Sequence, residues 1–223
     1  MVYNTQIGKY KNMNRVIEAE DYYSQVPRCQ SKYPFKKVTR YIPKRFTDLQ
    51  DWQEEKNRKA VDRFKKGDYT DKEMQRMVQL IQGIVTKSKE PKNWVVVFVP
   101  ASTREKYRKR YCTLTYYLRK HLEDVPVAYF GLTILEEGRS KHKGGEKLIT
   151  PDNLFIKRHL LKIKDRNVIL IDDVITTGES FRTVGDYLVD HGAKKIHGVV
   201  FAMTIHPNLP TTQQNRNNYE PVK

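Results

Sequence analysis

The stretch that decides the fold is Val168-Ile169-Leu170-Ile171-Asp172-Asp173-Val174-Ile175-Thr176-Thr177-Gly178-Glu179-Ser180. Its apolar start predicts a strand over Asn167–Ile171 that is buried on both faces. The pattern after it predicts a loop over Asp172–Ser180, a helix over Phe181–His191 and a strand over Ile196–Met203. Because open α/β sheets bind ligands beyond the carboxyl ends of their strands, this loop lies at a predicted binding edge.

The same alternation of strands and helices extends upstream from Pro91. The run Trp94–Val99 is continuously apolar and rich in β-branched residues, which is typical of another buried strand. Residues 91–205 are therefore predicted to form an α/β core, an open and mostly parallel twisted sheet flanked by helices. Its further predicted elements are a helix over Thr103–His121, a short strand over Val127–Phe130, a basic loop over Glu136–Thr150 and a short helix around Leu154–Leu161.

The two ends of the chain differ from this core. Residues 1–90 are predicted to form a mostly helical N-terminal extension, with helices from Asp51 to Lys66 and from Thr70 to Ser88. Residues 206–223 are polar and contain prolines, so a flexible tail is expected. The first fifty residues are predicted to be mostly irregular because three prolines interrupt any regular pattern: Pro27, Pro34 and Pro43.

Composition narrows the class of partner. The 223 residues carry a formal net charge of +16, which favours polyphosphate or nucleic-acid partners. No apolar run approaches the roughly 20 residues of a membrane-spanning helix, and no signal peptide is visible, so a cytoplasmic protein without a membrane partner is expected. Cys29 and Cys112 show no metal-binding or disulfide spacing and are expected to be free thiols.

A monophosphate fits the second half of the opening stretch. Backbone N–H groups at a helix start are unsatisfied, and the helix dipole favours an anion there. Hydroxyl groups add hydrogen-bond donors, and glycine allows a close approach of the backbone. The residues predicted to bind this phosphate are Thr176, Thr177, Gly178, Glu179 and Ser180.

Two carboxylates directly precede this phosphate cradle. Asp172 and Asp173 are placed to accept hydrogen bonds from a ribose 2′,3′-diol whose 5′-phosphate occupies the cradle. A ribose 5-phosphate therefore fits the whole stretch. The alternative is an acidic strand end followed by a capped helix, with no ligand.

The stretch also resembles the phosphoribosyl pyrophosphate (PRPP) motif of type I phosphoribosyltransferases, in which four apolar residues, two acids and two apolar residues precede Thr-Thr-Gly-x-Ser. The resemblance implies transfer of a phosphoribosyl group from PRPP to a nitrogenous acceptor, with release of pyrophosphate and Mg²⁺ as cofactor. It implies catalytic roles for Asp172, Asp173 and Arg104, and indirect Mg²⁺ binding by the two acids. The basic segment after Val99-Pro100 is similar to that of the ComF-like branch, although the branch's Arg-Gly-Phe-Asn-Gln element is here Arg110–Leu114.

Two further sites follow from the same resemblance. Pyrophosphate binding is implied for Ala101, Ser102, Thr103, Arg104 and Arg110. A mobile loop that closes over the reacting centre is implied for the Glu136–Thr150 segment, with Arg139, Lys141 and Lys143 as its cations. A solvated helix face and an ordinary surface loop remain the alternatives for these two basic segments.

The acceptor is not identified by the sequence. In the 6-oxopurine enzymes of this family a carboxylate occupies the position of Thr176, so salvage of hypoxanthine or guanine is disfavoured. Residues 1–90 are the expected acceptor-binding hood or interaction region. The alternative function is a non-catalytic PRPP-binding regulator or a nucleic-acid-associated, competence-type accessory protein, and a homodimer is possible.

Overall fold

The computed structural model describes residues 31–43, 52–135 and 149–205. These residues form a parallel sheet with helices on both faces, so the predicted α/β class is confirmed. No helix within the described ranges has the length and apolar composition of a membrane span. Residues 136–148 of the predicted mobile loop, with Arg139, Lys141 and Lys143, fall outside the described residues, as does the predicted tail.

Six strands and four α-helices build the described part of the chain. The main sheet has the strand order β1-β6-β5-β2 with all pairs parallel, and β3 and β4 form a separate antiparallel pair. In chain order the elements are β1 (Phe35–Tyr41), α1 (Trp52–Lys66), α2 (Asp71–Val85), β2 (Trp94–Phe98), α3 (Arg104–His121), β3 (Leu132–Ile134), β4 (Leu154–Ile156), β5 (Asn167–Ile175), α4 (Glu179–Asp190) and β6 (Lys195–Thr204).

The central strand β5 contributes to two hydrophobic clusters. Val168 and Leu170 point into the cluster covered by α4, whereas Ile169 and Ile171 point into the cluster covered by α1, α2 and α3. Strand β5 lies between β2 and β6, and the helices that follow β2 and β5 cover opposite faces. The carboxyl ends of β2 and β5 therefore flank the point where open α/β sheets bind ligands.

The prediction of an irregular N-terminal segment is wrong over β1. Residues Phe35–Tyr41 form an edge strand of the main sheet, paired with β6 from Gly198 to Thr204. The sequence FKKVTRY lacks a continuous apolar run because only one edge of the strand is paired and most of its side chains are half-buried. Basic residues are typical of edge strands, since they discourage pairing with another chain. Helices α1 and α2 also share a cluster with β2, so the hydrophobic core continues across residue 90.

Two short elements between β2 and β5 also differ from the prediction. In the predicted strand Val127–Phe130, only Val127 makes a bridge, to Val96, and the following residues form a turn. The predicted helix around Leu154–Leu161 is instead strand β4, in which Leu154 and Ile156 are buried and Phe155 is exposed. Three residues are too few for this two-residue alternation to be distinguished from a helical pattern by sequence alone.

The connection between α1 and α2 is anchored on α3. Gly67 adopts a left-handed backbone conformation with φ of +76°, and a Cβ there would lie 1.9 Å from the Lys109 carbonyl oxygen. Glycine is therefore required both by the turn and by the contact. Helix α2 then begins with a reciprocal capping box between Thr70 and Glu73, which fixes the direction in which the chain leaves the connection.

Candidate functional site

The acidic pair lies at the end of β5 and not in the loop after it. Strand β5 continues to pair with β6 up to Ile175 and Met203, so the prediction that the loop begins at Asp172 is wrong. The Asp172 carboxylate accepts the N–H of Asp173 at 2.8 Å, and the Asp173 carboxylate accepts the N–H of Val174 at 2.7 Å. These hydrogen bonds hold both carboxylates against the end of the strand.

Arg110 is the cationic partner of the acidic pair. Its Nη1 atom lies 3.0 Å from Oδ2 of Asp173, and the two side chains are only 16% and 14% exposed. Arg110 projects from α3, which covers the same face of β5 as Ile169 and Ile171. The guanidinium therefore orients Asp173 and partly neutralises the two acids.

Asp172 is the more deeply buried of the two acids. Burial, and then the charge of neighbouring Asp173, raises the pKa of Asp172 well above its usual value, although Arg110 opposes this shift. Holding a carboxylate here therefore costs stability in the free protein. Perturbed carboxyl groups of this kind are typical of functional sites.

Tyr69, in the α1–α2 connection, also belongs to this site. Its hydroxyl oxygen is buried and has no hydrogen-bond partner among the described residues. Burial raises the pKa of Tyr69, and the charges of Arg110 and Asp173 also act on its hydroxyl. Tyr69 was not predicted as a site residue. The only feature of the sequence that marks its position is the turn at Gly67-Asp68, directly before it. The predicted hood region thus contributes a buried hydroxyl whose pKa responds to the charges of Arg110 and Asp173.

The phosphate cradle is formed where β5 ends and α4 begins. Gly178 is the N-cap of α4, with φ of +80° and without a side-chain cap hydrogen bond, so the helix start retains backbone donors. The Thr177 hydroxyl accepts the Glu179 N–H at 3.4 Å, whereas Thr176 and Ser180 are exposed. The structure brings all five predicted phosphate-binding residues into one short turn; their role in binding stays a prediction.

Thr176 is tied to the neighbouring strand. Its Oγ1 atom lies 2.9 Å from Oγ1 of Thr204, at the carboxyl end of β6. The position therefore offers hydroxyl groups without a carboxylate, as expected from the sequence. Each hydroxyl can donate one hydrogen bond and accept up to two, but neither is a general base at neutral pH.

The connection between β2 and α3 is organised differently. The Thr103 side chain accepts the N–H of Lys106 at 3.2 Å and so caps α3. Lys106 Nζ in turn donates to Ser102 Oγ at 3.0 Å. Lys106 therefore contacts the predicted pyrophosphate loop, although it belongs to the basic segment for which a solvated helix face was the alternative. Ser102 is also buried, so its hydroxyl mainly holds the loop in shape.

A cavity of about 290 Å³ lies between this connection and the β3–β4 pair. Two cations, Arg104 and Lys157, flank the ring of Phe130 in its lining, at 5.5 and 5.7 Å from the ring centroid. Phe130 has a positive φ of 56°, an uncommon conformation for an aromatic residue, and its ring stacks on Tyr107. Ala101 and Thr103 complete the part of the wall formed by the predicted pyrophosphate loop.

The predicted pyrophosphate residues therefore divide into two groups. Ala101, Thr103 and Arg104 line the cavity, whereas Arg110 contacts the acidic pair and does not line it. Six residues at about 100° each place Arg104 and Arg110 about 120° apart around α3. A pyrophosphate role for these residues stays a prediction, but they do not form one contiguous surface in this structure.

The acidic pair fits Mg²⁺ only in an indirect role. No group of three His, Cys, Asp or Glu side chains in the described ranges could hold a metal ion by itself. Mg²⁺ usually keeps several waters and is bound through one or two carboxylates together with substrate phosphates. Asp172 and Asp173 could contribute to such a site through water, with the remaining ligands supplied by bound PRPP.

Comparison with known proteins finds a family model that matches part of the chain. Residues 116–218 match the phosphoribosyl transferase domain, a range that contains the acidic pair and the phosphate cradle. This part of the chain, slightly under half of its 223 residues, is similar to a phosphoribosyl transferase domain. The resemblance to type I phosphoribosyltransferases is thereby confirmed, while the ComF-like branch stays a prediction. The β2–α3 connection and Arg110 precede the matched range.

Similar proteins include the bifunctional protein PyrR of several Haemophilus influenzae strains, with 47% identity over 51 residues. That match covers 22% of this chain and 28% of the PyrR length. Among solved structures, the purine phosphoribosyltransferase from Pyrococcus horikoshii Ot3 is 19% identical, with a TM-score of 0.36 over 63% of this chain and 80% of that one. A hypoxanthine phosphoribosyltransferase from Staphylococcus aureus is 14% identical, with a TM-score of 0.38 over 63% and 77%.

Proposed function

We propose that this protein is a PRPP-dependent phosphoribosyltransferase that transfers the phosphoribosyl group to a nitrogenous acceptor and releases pyrophosphate. The observation that carries the proposal is the acidic pair at the end of β5, directly followed by the uncapped N-terminus of α4. Carboxylates that can accept hydrogen bonds from the ribose hydroxyls thus lie close in sequence to backbone N–H groups that can donate to the 5′-phosphate. PRPP contains both of these groups.

The β5–α4 unit would bind the ribose 5-phosphate part of the donor. Backbone N–H groups and hydroxyls of Thr176–Ser180 would hold the 5′-phosphate, with Gly178 allowing its close approach. Asp172 and Asp173 would accept hydrogen bonds from the ribose hydroxyls. Arg110 would act as a positioning residue, since it fixes the Asp173 carboxylate through the 3.0 Å ion pair.

The β2–α3 connection would bind the pyrophosphate that leaves. Arg104 and Lys157 both line the adjacent cavity, so two cations lie close to the place where negative charge would develop on the leaving group. Mg²⁺, when bound with PRPP, would supply further neutralisation of the pyrophosphate. The chain's own contribution is then mainly positioning and electrostatic stabilisation, without a covalent enzyme intermediate.

Thr176 and Thr204 limit the choice of acceptor. Their paired hydroxyls can contact an acceptor through hydrogen bonds but provide no carboxylate to accept a proton from a purine nitrogen. We therefore expect an acceptor other than hypoxanthine or guanine.

The test is pyrophosphate release from Mg²⁺–PRPP in the presence of a panel of nitrogenous bases that includes adenine, orotate, hypoxanthine and guanine. Base-dependent release by the wild type, and its loss in Asp172→Asn/Asp173→Asn, is the expected result. Release that persists in the double variant would refute the assignment of the acidic pair.

A PRPP-binding regulator is the second candidate. It is favoured by the Arg110–Asp173 ion pair, which occupies part of the acceptor capacity of the acidic pair. Saturable PRPP binding in calorimetry without pyrophosphate release across the panel would support the regulator over the enzyme.

A further inference from the structure

Helix α3 carries an unusual excess of positive charge. Between Arg104 and His121 it contains seven Lys and Arg residues but a single acid, Glu105 in its first turn. Helix α1 ends with three more basic residues, Arg63, Lys65 and Lys66. An excess of this kind raises the local concentration of anions.

The packing of Gly67 brings these two basic segments together. Because Gly67 contacts the Lys109 carbonyl, the end of α1 is fixed beside the middle of α3. An open groove of about 520 Å³ lies between them, and Lys66, Arg108 and Lys109 contribute its cations. We call this surface the α1–α3 groove; its lining also includes Cys112, Thr113 and one acid, Glu105.

The cations of the α1–α3 groove are available to a ligand. Across residues 31–43, 52–135 and 149–205, no carboxylate lies within 4.0 Å of the charged groups of Lys66, Arg108 or Lys109. Other cations of the same helices are neutralised internally, as Arg63 is by Glu73 and Arg110 is by Asp173. Helix α3 therefore has an inner face, on which Arg110 is paired with an acid, and an outer face, on which Arg108 and Lys109 have no acidic partner among the described residues.

An aromatic side chain continues the outer face. Tyr116 is 74% exposed and lies seven residues after Lys109, which is about two helical turns and ~10 Å along α3. Thr113 lies between them on the same side. Proteins that bind single-stranded nucleic acid combine two features: a line of cations along the phosphate backbone of the strand, and an exposed aromatic ring on which a base can stack.

We propose that the α1–α3 groove binds single-stranded nucleic acid, with Lys66, Arg108 and Lys109 contacting phosphates and Tyr116 stacking on a base. The unpaired bases of a single strand can reach the ring of Tyr116, whereas the bases of a duplex are stacked on one another. Inorganic polyphosphate has the charge but no base to stack. This binding is separate from the proposed transferase function.

Fluorescence anisotropy of labelled single-stranded RNA and DNA with the full chain tests the proposal. Replacing the groove cations in Lys66→Gln/Arg108→Gln/Lys109→Gln is expected to weaken binding at least about tenfold and to reduce its salt dependence. The matched control, Lys87→Gln/Lys89→Gln/Lys92→Gln, removes the same charge from the exposed segment around the α2–β2 connection and is expected to change affinity less than about threefold.

Tyr116→Ala is expected to weaken binding about tenfold, with Tyr116→Phe restoring it, because stacking needs the ring and not the hydroxyl. Tighter binding of RNA or of DNA would identify the natural strand, and either supports the proposal. Equal binding of duplex or displacement by inorganic polyphosphate at matched phosphate concentration would overturn it, as would equal effects of the two triple variants.

The Asp172→Asn/Asp173→Asn variant separates this proposal from the transferase function. It is expected to bind the single strand like the wild type, because the outer face of α3 is left unchanged. Loss of strand binding in this variant, with folding retained in circular dichroism, would overturn the assignment to the groove.

Discussion

The connections after β5 and after β2 lie side by side at the edge of the sheet. They differ in whether the N-terminus of the helix that follows is capped by a side chain. Thr103 caps α3 with its own side chain, and Lys106 is held by Ser102 in the same connection. Gly178 begins α4 without a side-chain cap. At the first helix start, a side chain of the protein satisfies one backbone donor. At the second, the only side-chain acceptor among the described residues is the Thr177 hydroxyl, 3.4 Å from the Glu179 N–H, so most of the backbone donors are left for a ligand.

The difference shows how one architecture can form two anion sites of different kinds. At α4 the backbone can bind a phosphate directly, with acids upstream for the ribose. At α3 the cap removes one backbone donor, so negative charge must be met by side chains such as Arg104. Arg110 joins the two regions, because it belongs to α3 but its ion pair is with Asp173 of β5.

Arg110→Met breaks this link and has the largest expected effect on stability. It leaves Asp173 largely buried without its cation, so the free energy of unfolding should fall by about 3 kcal/mol. Urea denaturation measures the change, with Arg76→Met on the exposed side of α2 as the control. An equal, small effect of both variants would mean that the ion pair contributes little.

Gly178→Ala tests the open helix start. A Cβ in the left-handed conformation should lower the free energy of unfolding by about 1–2 kcal/mol and weaken binding of ribose 5-phosphate. Gly83→Ala is the matched control, because Gly83 lies within α2 with open space around it and should be stabilised by about 0.5–1 kcal/mol. Unchanged ribose 5-phosphate affinity in Gly178→Ala, measured by calorimetry, would count against the cradle.

Asp172→Asn tests whether the acidic pair costs stability. Because the folded-state pKa of Asp172 is raised above its unfolded value, protonation stabilises the folded state as pH falls, and the full benefit is reached below the unfolded pKa. Without ligand at neutral pH, the variant should therefore unfold with a free energy at least about 1 kcal/mol higher than the wild type. Thermal unfolding across pH should show this advantage shrink on acidification; an advantage that is constant with pH would contradict the explanation.

Thr103→Ala should have the smallest effect. Loss of the cap lowers the free energy of unfolding by about 1 kcal/mol or less. PRPP affinity should fall less than in Gly178→Ala, because the Thr103 side chain lines the proposed pyrophosphate cavity but is engaged in capping α3. Thr103→Ser should preserve the cap. If Thr103→Ala weakened PRPP binding as strongly as Gly178→Ala, the distinction between the two connections would fail.

Most of the fold could be predicted from continuous apolar runs and helical spacing. These patterns located α1 to α4, β2, β5 and β6, because each element has one consistently buried face. Strand β1 was missed because Phe35–Tyr41 lies at the sheet edge and is mostly half-buried. Strand β4 was missed because Leu154–Ile156 is too short to show its period.

The candidate site was predictable to the extent that it is local in sequence. The acidic pair and the cradle lie within nine consecutive residues, Asp172–Ser180, so the motif identified them together. The ion pair of Asp173 with Arg110 joins residues 63 positions apart, and the position of Tyr69 depends on how α1 and α2 pack on α3. Helical spacing alone could have separated Arg110 from Arg104, since they lie on different sides of α3.

Calorimetric titration of Mg²⁺–PRPP into the wild type and into Asp172→Asn/Asp173→Asn tests the central claim, PRPP binding at the β5–α4 unit, most directly. Asp186→Asn serves as the control, because this acid lies on α4 and pairs with Lys32 on the surface. We expect saturable binding by the wild type and the control, and none by the double variant although it remains folded. Unchanged binding by the double variant, or no binding by the wild type, would contradict PRPP binding at this unit.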